Sequence, residues 1–183
     1  MTTEKMRFLK RLTLFCVISL LVIFSVSVMI NYERVKLEQR TIVLGMINEH
    51  VLTLSSFNHC TEFAVTPELV KQCENDRAVS NKVIQREDYK SLKLLLITAN
   101  RNAWLVATND EAFEKVYHES TKALAKLYTE EPNATMLGQS PLEIIKRVKK
   151  SPTLDVAIKN VFNDVVGFFL VFTSDFNSLR EPL

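Results

Sequence analysis

The residues whose type and spacing carry the clearest chemistry in this 183-residue sequence are Cys60 and Cys73. In an oxidising compartment, two cysteines so close in sequence are typical of a disulfide. Closing a loop of about 14 residues would stabilise the fold by roughly 3 kcal/mol, because the unfolded chain loses entropy. Two buried thiols are the alternative. Cys16 lies inside an apolar run, and we interpret it as a lipid-facing or helix-facing side chain.

A metal site is the sharper hypothesis for the same region. Zinc accepts the ligand types of His50, His59, Cys60, Glu62 and Cys73. However, their spacing matches neither C-x-x-C nor H-E-x-x-H, and two adjacent residues point in different directions on a helix. The sequence therefore predicts no metal and no other cofactor.

Catalytic patterns are weaker still. The sequence has no G-x-S-x-G motif and no glycine-rich phosphate loop. His118 follows Glu111 by seven residues and Glu114 by four, and such a pair can serve acid–base catalysis. A solvated ion pair is the commoner reason for this spacing. We therefore predict that the chain is not an enzyme.

One dense basic cluster remains, Lys146, Arg147, Lys149 and Lys150. It stands at the end of a short predicted helix, where cations complement the negative end of the helix dipole. Contact with anionic lipid headgroups or with a partner is the functional alternative. Nucleic acid is not a predicted partner, because the chain after residue 30 carries a net charge near −1 rather than a basic excess.

The elements that position these residues begin with an uncharged apolar run over residues 12–30. At about 1.5 Å per residue, 19 residues span roughly 28 Å, close to the hydrocarbon thickness of a bilayer. Four of the 23 basic residues but one of the 21 acids precede this run. This bias predicts that the N-terminal side stays in the cytoplasm and that the rest of the chain is exported.

A cleaved signal peptide is the alternative, but its apolar core is usually shorter and an A-x-A site is missing. We predict a cytoplasmic tail (1–11), a transmembrane signal-anchor (12–31) and an exported domain (32–183). The predicted location is the inner (cytoplasmic) membrane, with the C-terminal domain in the periplasm or an equivalent compartment.

Composition predicts an all-α fold. Three glycines and five prolines are too few for a turn-rich β-protein, and 47% apolar residues exclude a disordered chain. We expect the transmembrane helix to continue into a long juxtamembrane helix, followed by an antiparallel bundle of about four to five helices. Apolar residues at three- and four-residue steps within 33–57 also predict a homodimer through this stretch.

Local signals place the later helices. Thr66-Pro67, Thr108-x-x-Glu111, Ser140-Pro141 and Ser151-Pro152 are typical helix starts. They predict helices over about 67–79, 86–107, 110–129, 141–150 and 153–172. In the second of these, Trp104 and Leu105 widen the apolar stripe, so we expect it to be the most buried helix.

The last helix ends in Val165–Phe172, the most apolar stretch outside the anchor. Four large side chains of this stretch, Phe168, Phe169, Val171 and Phe172, exceed what one face of a small bundle readily buries. We interpret the stretch as core. The alternative is a surface for a partner or a membrane.

Taken together, the anchor and the missing catalytic motifs predict a membrane-anchored interaction domain. It would act as an assembly factor, a regulator or an inhibitor of another membrane or envelope protein. A ligand-sensing helical bundle is the second hypothesis, although such sensors usually return through the membrane to an output module.

Overall fold

The computed structural model describes residues 3–56, 65–132 and 141–178, and these residues form helices and no strand. This confirms the all-α prediction. The helices are α1 (Thr3–Ser56), α2 (Pro67–Gln85), α3 (Glu87–Arg101), α4 (Ala103–Thr108), α5 (Asp110–Glu130), α6 (Pro141–Lys149) and α7 (Thr153–Ser178).

Helix α1 is one continuous rod of 54 residues, as the sequence predicts. At about 1.5 Å per residue it is roughly 80 Å long. Within the described parts of the chain, it is the one helix long and apolar enough to cross a membrane. Most of its large apolar side chains between Leu12 and Ile30 are exposed.

The chain divides into two compact units. Unit 1 comprises Met1–Lys36 and Pro152–Leu183, and unit 2 comprises Leu37–Ser151. Helix α1 therefore contributes its first part to unit 1 and its last part to unit 2. The predicted domain boundaries stay a prediction.

Unit 2 holds one hydrophobic core to which α1 to α6 all contribute. Its most deeply buried members include Val43, Ile47, Val51, Val83, Tyr89, Leu124, Leu127 and Ile145. Buried polar contacts reinforce this packing. The Tyr89 hydroxyl donates to the Val51 carbonyl at 3.0 Å, and the Ser80 hydroxyl donates to the Leu54 carbonyl at 2.5 Å. These bonds tie α2 and α3 to the last turns of α1.

The core also uses the apolar face of residues 33–57. Val43, Leu44, Ile47, Val51 and Leu54 are all buried within unit 2, while Phe57 lies outside the described residues. A second copy of the chain could reach only what remains exposed, such as Ile42 and Leu52. The homodimer stays a prediction.

Of two predicted helix caps, the structure confirms the one of α2 and corrects the one of α5. Thr66 caps α2 as predicted, since its hydroxyl oxygen accepts from the Leu69 amide at 3.3 Å. The cap predicted at Thr108 is wrong, because Asn109 caps α5 by accepting from the Ala112 amide at 2.9 Å. The Thr108 hydroxyl instead donates back to the Trp104 carbonyl. Asparagine is the better cap of the two adjacent candidates.

The predicted helix 86–107 is also corrected. It is interrupted at Asn102, and the structure exposes Trp104 and Leu105 rather than burying them. Helix α3 begins at Glu87, after Arg86 ends α2 with an extended backbone.

Helix α7 departs furthest from the prediction. Among its described side chains, Ala157 and Val161 are buried, whereas Leu154, Ile158, Phe162 and Val165 are exposed. The interpretation of Val165–Phe172 as core is wrong for the side chains described there, which are exposed as well. A nearly continuous apolar run has no periodicity that favours one face, so the sequence could not indicate its surroundings.

Candidate interaction surface

The outer face of α3 and α4 carries an exposed apolar surface on unit 2. We call it the Trp104 surface, and it consists of Leu94, Ile97, Trp104 and Leu105. Trp104 is 72% exposed and Leu105 61%. On the opposite side of the same two helices, Leu92, Leu96, Ala99 and Val106 are buried in the core. These helices are therefore apolar on two sides, of which the fold buries one.

The break at Asn102 does not divide this surface. The Asn102 amide donates to the Ala99 carbonyl at 3.2 Å, and the Val106 amide donates to the Asn102 carbonyl at 3.0 Å. Helical hydrogen bonding thus continues past the break. At about 100° per residue, Leu94 and Ile97 of α3 fall within an arc of about 60°, and Trp104 and Leu105 are consecutive residues of α4.

Basic side chains outnumber acidic ones along the helices that bear this surface. Between Tyr89 and Asn109 the sequence contains Lys90, Lys93 and Arg101 but no acidic residue. All three basic side chains are exposed, but Lys90 is paired with Glu87 at 2.6 Å. Arg101 lies within the arc of Leu94 and Ile97 on α3. The surface therefore suits an apolar partner segment flanked by acidic groups.

Arg40 fixes the junction that follows α4. Its side chain is 9% exposed, and it donates to the Ala107 carbonyl at 3.0 Å and to the Asp110 carboxylate at 2.7 Å. Its guanidinium also lies 4.9 Å from the centre of the Phe113 ring. One arginine thereby holds the end of α4 and the start of α5 against α1.

An ion network fixes the start of α3. Arg86 bridges the carboxylates of Asp88 and Glu130. The hydrogen bond from Arg86 lowers the pKa of the Asp88 carboxyl to about 2, against the opposing effect of partial burial. Lys126 lies 3.6 Å from Asp88. The network ties the first turn of α3 to the last turns of α5, and so orients the helix that bears the Trp104 surface.

Partly buried polar groups lie inside unit 2. The His50 ring contacts the Tyr128 ring at 5.6 Å between centroids. Among the described residues, three buried polar atoms find no hydrogen-bond partner: His50 Nε2, the Tyr128 hydroxyl and the Ser120 hydroxyl. Burial lowers the pKa of His50 from its usual 6.5, because the charged form would lose hydration.

The lowered pKa of His50 predicts acid lability. Below pH 6.5 the unfolded chain takes up a proton that the folded chain resists, so the stabilisation present above pH 6.5 is lost as the pH falls. We expect the free energy of unfolding to decrease as the pH falls below 6.5, with a slope of at most about 1.4 kcal/mol per pH unit for one proton. Urea unfolding of the full chain in detergent, followed by circular dichroism, measures this slope.

The substitution His50→Gln should remove this contribution to the slope. An unaltered slope in His50→Gln would contradict the assignment to His50.

The structure places the predicted basic cluster at the end of α6. Lys149 donates to Glu114 at 2.5 Å and lies 4.0 Å from the centre of the Tyr117 ring, so it serves the internal packing of α5 and α6. Glu114, one of the two carboxylates that the sequence places near His118, is therefore paired with Lys149. The rest of the basic cluster is exposed, namely Lys146, Arg147 and Lys150.

The cysteine predictions fall partly outside the described residues. Cys16 is a free thiol on the exposed surface of α1. Cys73 lies partly buried in α2, but Cys60, His59 and Glu62 are outside the described residues. The disulfide therefore stays a prediction. The described residues contain no cluster of three metal-ligating side chains.

The Trp104 surface differs from the sequence prediction, which placed Trp104 and Leu105 in the buried stripe, although the sequence contains a signal for it. Residues 92–97, LKLLLI, place apolar side chains on more sides of the helix than one buried face requires. This excess indicates a second apolar face.

Comparison with known proteins gives no relative: no family model, no curated protein and no solved structure matches this chain.

Proposed function

We propose that this chain is a membrane-anchored interaction protein whose exported helical bundle binds another membrane or envelope protein through the Trp104 surface. The observation that carries the proposal is an exposed tryptophan that lies with exposed leucine and isoleucine side chains on the outer face of α3 and α4. Tryptophan and arginine are the residue types that most often dominate the energy of protein interfaces. Arg101, within the arc of Leu94 and Ile97, adds charge complementarity to an acidic partner.

Binding tests this proposal directly. A photo-crosslinking residue at Ile97 should yield one defined adduct with a protein in native membranes, and the same probe at the exposed Lys122 of α5 should not. The substitution Trp104→Ala should weaken the adduct's formation about 30-fold, as expected when an anchor worth about 2 kcal/mol is removed. It should change the free energy of unfolding by less than about 0.5 kcal/mol.

Equal crosslinking in Trp104→Ala and the unsubstituted chain would contradict the role of this surface. Recovery of a bound small molecule in place of a protein would favour the ligand-sensing alternative.

The proposed orientation has its own test. We expect a cysteine introduced at Lys122 to react with a membrane-impermeant maleimide added to intact cells, because unit 2 is exported. A cysteine introduced at Lys5, in the tail, should react only after the cells are permeabilised. The positive charges before residue 12 provide the physical reason. The reverse labelling pattern would show that unit 2 stays in the cytoplasm.

A further inference from the structure

The end of α6 presents a face of basic side chains. We call Lys146, Arg147 and Lys150 the α6 basic face, and all three side chains are exposed. Lys150 follows the last residue of α6, but its amide still donates to the Lys146 carbonyl at 3.1 Å. At about 100° per residue, the three positions therefore fall within an arc of about 100°. The buried Leu142 and Ile145 lie outside this arc.

Few acidic groups oppose this face. Between Pro141 and Ser151 the sequence contains four basic residues and one acidic residue, Glu143. The fourth basic residue, Lys149, is paired with Glu114 of α5. In the parts of the chain that the structure describes, no ion pair joins the α6 basic face to an acidic side chain. The face therefore carries a net positive charge.

Contacts within unit 2 place this end of α6 beside the first turn that α1 contributes to the unit. The Gln39 side-chain amide donates to three carbonyls at 2.6–3.1 Å, those of Val148, Lys149 and Ser151. Leu37 is the first residue of unit 2. The end of α6 is therefore fixed to the part of α1 that follows the apolar run.

The geometry of α1 sets the distance from this contact to the end of the apolar run. Gln39 follows Ile30 by nine residues of one continuous helix, which is about 14 Å along the helix axis. The headgroup layer occupies about 5–7 Å on each side of the hydrocarbon. The remaining distance of about 8 Å equals one Debye length at physiological ionic strength. Any tilt of α1 in the bilayer shortens this distance.

We propose that the α6 basic face binds the phosphate groups of anionic lipids at the surface of the membrane in which α1 is anchored. Anionic lipids attract basic residues beside a membrane anchor, and this attraction decays within a Debye length. A protein interface has an apolar core, but among the described side chains of α6 no large apolar one is exposed. The proposal rests on the proposed anchoring of α1 and is independent of the Trp104 surface.

A local reporter is needed to test this contact in the full chain, because the basic residues before residue 12 also attract anionic lipid. Trp104 is the single tryptophan, so Trp104→Phe provides a background without tryptophan fluorescence. In this background, Ser151→Trp is reconstituted into phosphatidylcholine vesicles with or without phosphatidylglycerol. Both kinds of vesicle carry the same fraction of a lipid with a nitroxide on its headgroup, which quenches nearby tryptophan.

We expect at least about twofold stronger headgroup quenching of Ser151→Trp in the phosphatidylglycerol vesicles at about 0.1 M salt. The difference should vanish at about 1 M salt, where the Debye length falls to about 3 Å. Ala125→Trp should show no such difference, because it lies one turn before Tyr128, which contacts His50, eleven residues beyond Gln39. Leu154→Trp serves as the second reporter if Ser151→Trp has lost helicity by circular dichroism.

Charge-neutral variants assign the contact to the α6 basic face. Replacing all three of its residues by glutamine should abolish the dependence on phosphatidylglycerol. The same change at three exposed lysines elsewhere in unit 2, Lys71, Lys93 and Lys122, should preserve it. Lys150→Gln alone, which should weaken the dependence, replaces the triple variant if that variant has lost helicity.

Leu20→Trp separates failure of this proposal from failure of the anchor, since bromine on the acyl chains should quench it. Quenching of Leu20→Trp without an effect of phosphatidylglycerol on Ser151→Trp would overturn the lipid contact and leave the anchor intact. Absence of quenching at Leu20→Trp would overturn both. A dependence on phosphatidylglycerol that persists in the triple variant would also overturn the contact. If that variant instead loses the protein adduct at Ile97, the α6 basic face belongs to the protein partner.

Discussion

Leu124→Ala is expected to lower the free energy of unfolding of unit 2 by about 3 kcal/mol, within the range of about 2–5 kcal/mol for leucine truncation in a core. Leu124 is fully buried on α5, among residues of the core that α1 to α6 share. Truncation removes apolar burial and leaves a cavity that rigid helices fill only in part. Urea unfolding of the full chain in detergent, followed by circular dichroism, measures the loss.

Leu105→Ala is the matched control, since it makes the same chemical change on the exposed Trp104 surface. We expect Leu105→Ala to lower the free energy of unfolding by less than about 0.5 kcal/mol. A comparable loss at both positions would mean that the Trp104 surface is packed in the folded protein, and would remove the basis of the proposed function.

Arg40→Ala should lower the free energy of unfolding by about 3 kcal/mol, as much as Leu124→Ala. The substitution leaves the buried Ala107 carbonyl without its donor and removes the packing of the guanidinium on Phe113. Arg40→Lys should recover only part of the loss, because one ammonium cannot reproduce a planar fork that reaches two acceptors.

Two controls locate the source of this effect. Asp110→Asn should cost less than about 1 kcal/mol, because Asp110 is 67% exposed and exposed ion pairs contribute little. Arg34→Ala, at an exposed position of the same helix, should be neutral. A large effect of Asp110→Asn together with a small one of Arg40→Ala would contradict the assignment to the Ala107 carbonyl.

Helix boundaries could be predicted where a single residue type satisfies or removes an unpaired backbone group at the helix end. Proline after Thr66 gives up an amide that lacks a partner at a helix start, so this start is the same in any tertiary context. At Thr108 and Asn109, two neighbouring residues can each cap a helix. Here the fold places Thr108 in the last turn of α4, where its hydroxyl bonds back to Trp104, and leaves the cap to Asn109.

Buried polar groups could not be predicted. Arg40 lies on a helix with several other basic residues, and nothing in its immediate sequence distinguishes it from Arg34 or Lys36. Its burial depends on the Ala107 carbonyl and Phe113, which lie about 70 residues away in the chain. The same holds for His50, whose lowered pKa arises from the packing around it.

By itself, the sequence determined the helical class, the long α1 and its apolar span, because composition and continuous hydropathy act locally. Only the tertiary structure decided which apolar faces are covered. Helix α3 has apolar residues on two sides, and α7 ends in an apolar run without periodicity. In both helices the sequence pattern therefore does not indicate which side is buried. The core of unit 2 accommodates only one face of α3 and α4, and this steric limit leaves Trp104 exposed.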